Sequence, residues 1–253
     1  MKKIIICFAF LMCAASLIGQ NEKTVPTFEI SISTFQTNML VFNRNYVSDF
    51  DNDVFSSNTV GYSVSGRRTQ SILLKNLNWF VGGRVGVHAY SIDLMIQEEF
   101  RNLGWNEDFT SFNKDYELLF IDIFTGLRYD FSIGERMKIG IETAAVFDYH
   151  LRMSTGFGYS AGLDNGQTKE LFDSEMVVNK DNQIRVFPQF GLSYQYQFKN
   201  SGLRFAAYTL VSSKNVLTGS YQLFGDNETL TGTLAKDYSF GGLELGYFWN
   251  LGR

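Results

Sequence analysis

Histidine is the side chain best suited to moving a proton near neutral pH, and the chain has two, His88 and His150. Asp148 and His150 are two positions apart. On an extended strand that spacing puts both on one face, where a carboxylate can hold an imidazole as general base, with Ser154 following as the candidate nucleophile. In His88-Ala89-Tyr90-Ser91 the histidine and serine are three apart, which on a strand points them to opposite sides. Gly158-Tyr159-Ser160-Ala161-Gly162 matches G-x-S-x-G. That nucleophile elbow needs a strand–turn–helix and a histidine later in the chain, and both histidines come earlier. Asp49, Asp51 and Asp53 begin like a calcium loop, but position six is Val54 rather than Gly and position twelve is Val60 rather than Glu. What remains is loose Ca²⁺ binding by an acidic surface loop. Asn227-Glu228-Thr229 is a glycosylation sequon by spelling only. No cluster suits zinc, phosphate or a dinucleotide, so no catalytic residue, metal ligand or cofactor is assigned.

The rest of the chain must explain what would hold such groups. It has 253 residues, 22 Lys+Arg against 26 Asp+Glu, 19% charged and 16% aromatic residues, 23 Gly and only 2 Pro. Few charges and many aromatics exclude a disordered chain. The acidic balance and the lack of a basic stripe argue against nucleic acid as partner. At the N-terminus, Lys2-Lys3 precede an apolar run from Ile4 through Ile18 that ends at Gly19-Gln20. This has the form of a secretory signal peptide over residues 1–20, and no second apolar run is long enough for a spanning helix. Both cysteines, Cys7 and Cys13, fall inside it. The exported part, 25–253, therefore has neither a disulfide nor a thiolate metal site. Without Lys2 and Lys3 the chain carries 20 basic residues against 26 acidic ones, a net −6.

Beyond the leader the hydrophobic pattern has period two. From Ile184 to Phe198 the even positions are Ile184, Val186, Pro188, Phe190, Leu192, Tyr194, Tyr196 and Phe198, while the odd ones include Arg185, Gln189, Gly191, Ser193 and Gln195. One greasy and one polar face is strand behaviour, not the 3.6 period of a helix. The same split recurs at 139–153, 119–131, 79–91, 243–251, 203–212, 28–33 and, most weakly, 58–72, where Arg68 interrupts it and a bulge or a short membrane span is expected. Pro188 lacks a ladder donor and also calls for a bulge. The eight strands alternate short joins (about 73–78, 132–136 and 199–202) with long ones (about 39–57, 95–116, 154–182 and 213–236).

Tight turns on one side and long loops on the other are the plan of an up-and-down membrane barrel. Closure is the only way a sheet can pair every backbone group within lipid. In these features the chain resembles the outer-membrane β-barrel domain family of Gram-negative bacteria, in size and plan the OmpA/OmpX type. The resemblance implies an all-β, eight-stranded antiparallel transmembrane barrel with short periplasmic turns and long extracellular loops, set in the outer membrane.

The greasy face then meets lipid. Phe28, Trp79, Tyr129, Phe131, Tyr196, Phe198, Phe205, Tyr247 and Trp249 are expected to form an aromatic girdle at the periplasmic interface. The polar face turns inward with Glu29, Asp122, Asp130, Glu142, Asp148 and Glu244 against Arg67, Arg84, Arg128, Lys138, Arg152, Arg185 and Arg204. Six acids and seven bases are nearly balanced, and an eight-stranded interior is just wide enough for side chains to fill. The expected result is a paired lumenal charge network that plugs the barrel. The reading is a monomeric, non-enzymatic outer-membrane protein with a structural or surface-interaction role. Its partners are outer-membrane lipid, lipopolysaccharide and, through the long loops, a surface ligand or envelope protein. One alternative is a barrel enzyme (lipase, acyltransferase or protease) acting on envelope lipid or peptide. Another is a secreted, lipocalin-like ligand carrier, which requires the two faces to be reversed.

Overall fold

A computed structural model describes residues 26–45, 54–72, 74, 76–94, 112–162, 166–224 and 229–251. The leader at 1–20 with Cys7 and Cys13, the calcium-like Asp49, Asp51 and Asp53, and Asn227 with Glu228 lie outside the described residues. Fourteen strands are formed among the described residues: β1 (Thr27–Thr37), β2 (Val41–Arg44), β3 (Val54–Phe55), β4 (Thr59–Ser71), β5 (Leu77–Leu94), β6 (Phe112–Ile133), β7 (Met137–His150), β8 (Met153–Gly162), β9 (Thr168–Val178), β10 (Arg185–Gln197), β11 (Ser201–Leu210), β12 (Asn215–Phe224), β13 (Thr229–Asp237) and β14 (Phe240–Asn250).

Eight of them close on themselves. The order β5-β4-β1-β14-β11-β10-β7-β6 is completed by pairing of β6 with β5, and every pair is antiparallel. A closed ladder has no unpaired edge. Its tight turns sit at one end, where Asn76 (φ 68°) and Gly134 (φ 70°) take the left-handed conformation that those reversals need. The first and last barrel strands meet at that same end, Thr27 opposite Asn250.

Alternation sets the faces. Ile32, Val64, Val85, Ile123, Ile141, Phe190, Leu192 and Leu245 point outward and are exposed, while Glu29, Arg67, Arg84, Asp122 and Glu142 are buried inside. A soluble ligand carrier needs the opposite arrangement.

Neither expected bulge forms. β4 pairs with β1 and β5 without a register shift, and Arg68 simply points outward near the turn end, opposite Phe28. There its aliphatic stem can lie on the apolar wall with the charge at the rim. Pro188 pairs in register with Ala145 on β7. Its carbonyl accepts from Val211 N (3.1 Å), just past the end of β11, so the missing donor costs one bond at a strand end.

The long connections are not simple loops. β2, β13, β12, β9 and β8 form a second, five-stranded sheet in that order. Because its strands come from the long joins, it stands at the end opposite the tight turns. Strands β5 and β6 also run past the barrel, pairing as far as Leu94 and Phe112.

Glycine makes room for the aromatic interior. Phe35 on β1 stands opposite Gly61 on β4 and Gly242 on β14. A Cβ at Gly61 would come within 2.2 Å of the Phe35 ring, and one at Gly202 within 2.3 Å of the Phe248 ring. An aromatic ring lying across a neighbouring glycine fills the space that a missing side chain leaves.

Candidate functional site

The barrel interior is where the sequence places its charges, and it is filled in layers. Nearest the tight turns is a small polar vestibule of about 190 Å³ whose lining includes Asn78, Arg128, Asp130, Lys138 and Gln195. Arg128 Nε pairs with Asp130 Oδ1 at 2.9 Å, and Asn78 Nδ2 donates to Asp130 Oδ2 at 2.8 Å.

Above it lies a lattice spanning the lumen. Glu142 on β7 accepts from Arg67 on β4 (3.0 Å) and from Arg204 on β11 (2.8 Å) through the same oxygen, Oε2. Arg67 also binds Glu29 Oε2 (3.1 Å), and Arg204 binds Glu29 Oε1 (3.2 Å) and Glu244. β4 and β7 are three strands apart by the shorter way round. The Arg67–Glu142 bond therefore crosses the interior rather than following the wall. These groups are buried, with Glu29, Arg67 and Arg204 each 3% exposed and Glu142 6%. Charges out of water are tolerable only when paired and hydrogen-bonded in this way.

A second ionic row runs along the wall. Arg84, Asp122, Asp148 and Arg185 are cross-strand neighbours on β5, β6, β7 and β10. Arg84 holds Asp122 at 2.5 Å, and Arg185 Nη1 lies 4.0 Å from Asp148. The Arg84 guanidinium also sits 5.4–5.8 Å from the ring centroids of Phe240, Tyr208 and Phe120, a cation–π arrangement strengthened by the burial of the side chain.

Next comes a ring layer of Phe35, Phe120, Tyr238 and Phe240 with both histidines. His88 lies 5.4 Å and His150 4.8 Å from the Tyr238 ring, centroid to centroid. Tyr238 Oη donates to Asp122 at 3.2 Å. His150 Nδ1 meets Asp148 at 3.0 Å, so those two side chains are brought together. Both are fully buried. Ser154, by contrast, is on the exposed face of β8, so the nucleophile of the suggested triad points to solvent while the imidazole is enclosed. Ser160 is likewise exposed on β8, in an edge strand and not in a strand–turn–helix. His88 and Ser91, expected on opposite sides, are both buried, and the Ser91 hydroxyl is bound by Ser57 N at 2.9 Å.

The second sheet lids this stack. Tyr90 stacks on Tyr116 (5.0 Å), Tyr116 meets Phe157 (6.3 Å), Phe157 meets Phe172 (5.7 Å), Phe172 meets Tyr221 (6.1 Å) and Tyr221 meets Phe42 (5.6 Å). The chain of rings runs from the extensions of β5 and β6 through β8, β9 and β12 to β2. It shares one apolar core with Phe35 and Phe120 in the barrel. Lys236 on β13, fully buried, ties the sheet to the barrel rim by donating to the Asn38 carbonyl. Burial pushes its ammonium down to about 8. Sequence reasoning missed this cap. The aromatic content of the long joins was the available signal.

One residue of the expected network lies elsewhere. Arg152 is exposed beyond the end of β7. The strand stops at His150, whose carbonyl accepts from Asn179 Nδ2 at 2.8 Å, so the inward–outward alternation ends two residues before Arg152. Lys138 is only partly buried, at the vestibule. Of the outward aromatics, Phe28–Trp249 (5.0 Å), Tyr129–Phe131 (4.9 Å), Tyr196–Phe198 (5.4 Å) and Tyr247–Trp249 (6.2 Å) touch in pairs near the tight turns. Trp79 donates from Nε1 to Thr125 Oγ1 at 2.9 Å. Phe205, opposite Leu245, stands higher on the wall.

An even number of antiparallel strands, an apolar exterior, tight turns at one end and long elaborated joins at the other define the architecture. It is that of an outer-membrane β-barrel. No family model and no curated protein sequence matches the chain. Among solved structures it is similar to the outer membrane protein OprG from Pseudomonas aeruginosa (6% identity, TM-score 0.47, 91% of this chain and 99% of that one). It is also similar to Neisserial surface protein A (9%, 0.34, 86% and 95%) and to the outer membrane protease OmpT from Escherichia coli (12%, 0.36, 91% and 98%).

Proposed function

We propose that this is a monomeric, non-enzymatic integral outer-membrane protein, exported by its first twenty residues, whose lumen is shut and whose work is structural or done at the cell surface. The observation that carries this reading is Glu142 bridging Arg67 and Arg204 across the interior, beneath the ring layer and the five-stranded cap. A conducting path would have to break buried ion pairs, and removing one partner of such a pair costs about 3–5 kcal/mol. The outward aliphatic band takes outer-membrane lipid and lipopolysaccharide. The aromatic pairs near the tight turns serve as the periplasmic girdle. The cap, standing on a rigid scaffold, is the surface offered to an envelope protein or external ligand. Neither nucleic acid nor a cofactor enters.

Planar-bilayer recording tests the closed lumen. The expected trace shows no steady conductance above the bare bilayer, and large stable channels would contradict it. Deleting 154–182 tests the platform. That change should abolish binding to envelope or host components while the heat-modifiable barrel persists. Binding that survives the deletion rules out this hairpin as its seat.

A further inference from the structure

The five-stranded cap is the barrel continued. β2 follows β1, β8 follows β7 and β12 follows β11, while β9 and β13 lead into β10 and β14. The cap order β2-β13-β12-β9-β8 repeats the barrel order β1-β14-β11-β10-β7. One ladder is not carried upward. Below, β7 is joined to β6 as far as the pair His150–Phe120. Above, β6 runs on to Phe112 beside β5, and β8 pairs with β9. Among the described residues no ladder joins β6 to β8, so two open strand edges border one seam. Tyr116 and Phe157 meet on its inner side, 6.3 Å between ring centroids.

Backbone direction shows which groups these edges offer. The Phe157 carbonyl reaches towards β9, where it accepts from Ser174 Oγ at 3.2 Å. Neighbouring residues of a strand turn their amide and carbonyl to opposite sides, so Ser154, Gly156 and Gly158 turn theirs to the seam. On β6 the Asp130 amide donates to the Asn76 carbonyl, on the β5 side, and the ladder to β5 has no register shift. Asp115 and Glu117 therefore turn their backbone groups to the seam as well. From Met153 to Tyr159, β8 has no charge, proline or bulge to blunt its edge.

Side chains select the partner. Outward, Asp115 and Glu117 stand exposed on one bank, and on the other Gly156 and Gly158 lie opposite Glu175 and Asp173 of β9. Arg152 stands at the foot of the seam and Lys169, opposite Ala161, at its head. Inward lie the rings of Tyr116, Phe157 and Tyr159. The outward acids also put the seam above the apolar band that ends at Leu119 and Leu151.

We propose that the seam takes up an extended segment of another protein, which adds as a strand to the open edge of β8 and alternates basic residues outward with apolar residues inward. The inference deepens the surface-platform reading above and rests on it. A row of amides and carbonyls at strand spacing matches another extended backbone. In strand addition main-chain bonds give the affinity and alternate side chains the choice of partner.

The test is fluorescence anisotropy of labelled heptapeptides with the full chain in non-ionic detergent, against empty micelles. A peptide alternating lysine and valine should bind. One alternating glutamate and valine should bind about tenfold more weakly or worse. Methylating every second amide, in the set that faces β8, should cost about tenfold or more. Two protein variants complete the test. Glu117→Lys/Glu175→Lys reverses charge on both banks, and Gly158→Pro removes a seam-facing donor where a Cβ meets nothing closer than 3.7 Å. Both should keep the heat-modifiable barrel and lose the peptide. Full binding by either variant, by the glutamate peptide, or by both sets of methylated peptide would overturn the proposal. So would a dimer of the protein that the peptide disperses, which would make a second copy the occupant. If deleting 154–182 abolishes binding of envelope or host components while no peptide binds, the platform stands and the strand addition alone fails.

Discussion

Asp122 and Asp148 face each other directly across β6 and β7, buried and flanked by Arg84 and Arg185. Like charges opposite one another destabilise a strand pair, so this site depends on its outer cations. Arg84 supplies most of that support, at 2.5 Å from Asp122 against 4.0 Å between Arg185 and Asp148. Arg84→Ala should therefore lower stability by about 3–5 kcal/mol, whereas the paired change Arg84→Leu/Asp122→Leu should recover most of it. Urea unfolding in lipid vesicles measures both. Equal losses in the two variants would show that packing, and not charge, governs the site.

The close approach of Phe35 to Gly61 gives a steric prediction. Gly61→Ala puts a methyl group into the ring and should cost about 1–3 kcal/mol as overpacking. In a Phe35→Leu background the same change should cost less. A double-mutant cycle measures the coupling, and additive losses would mean that the ring moves away freely.

Lys236 gives a pH dependence. Its folded value is held down to about 8 by burial, against 10.5 ordinarily. Between those values the unfolded chain binds more protons than the folded one, so stability rises with pH across about 8 to 10.5 and this contribution is flat below it. The urea midpoint should climb over that window, and Lys236→Met should flatten the climb. A midpoint that falls equally in both proteins would exclude the effect.

His150→Ala should leave any deacylation of envelope lipid unchanged, because the imidazole is enclosed with Asp148 while Ser154 faces solvent. Radiolabelled lipid assays read this. Activity present in the wild type and lost in the variant would favour the enzyme reading.

The barrel was legible because its strands obey a single period on a two-sided wall. Ile184 to Phe198 announces β10 almost to the residue. The cap was not legible, because its strands are less regular. β9 buries the consecutive residues Leu171 and Phe172, and β12 buries Val216 and Leu217 around a register shift. Neither keeps one greasy face. The interior was half legible. Charge marks Arg67 or Glu142, but phenylalanine serves both sides of the wall, and only the glycine opposite Phe35 or Phe120 betrays an inward ring. Arg152 was misplaced because a period read along the chain does not reveal where the strand ends.

The central claim is the direction of the two faces, and a nitroxide scan tests it most directly. Residues 25–253 contain no cysteine, so single cysteines from Leu119 to Thr125 can be labelled one at a time in vesicles. Positions 119, 121, 123 and 125 should be open to oxygen dissolved in lipid, and 120, 122 and 124 shielded from both oxygen and aqueous nickel complexes. The reverse alternation, with Asp122 open to lipid or bulk water, would contradict the account.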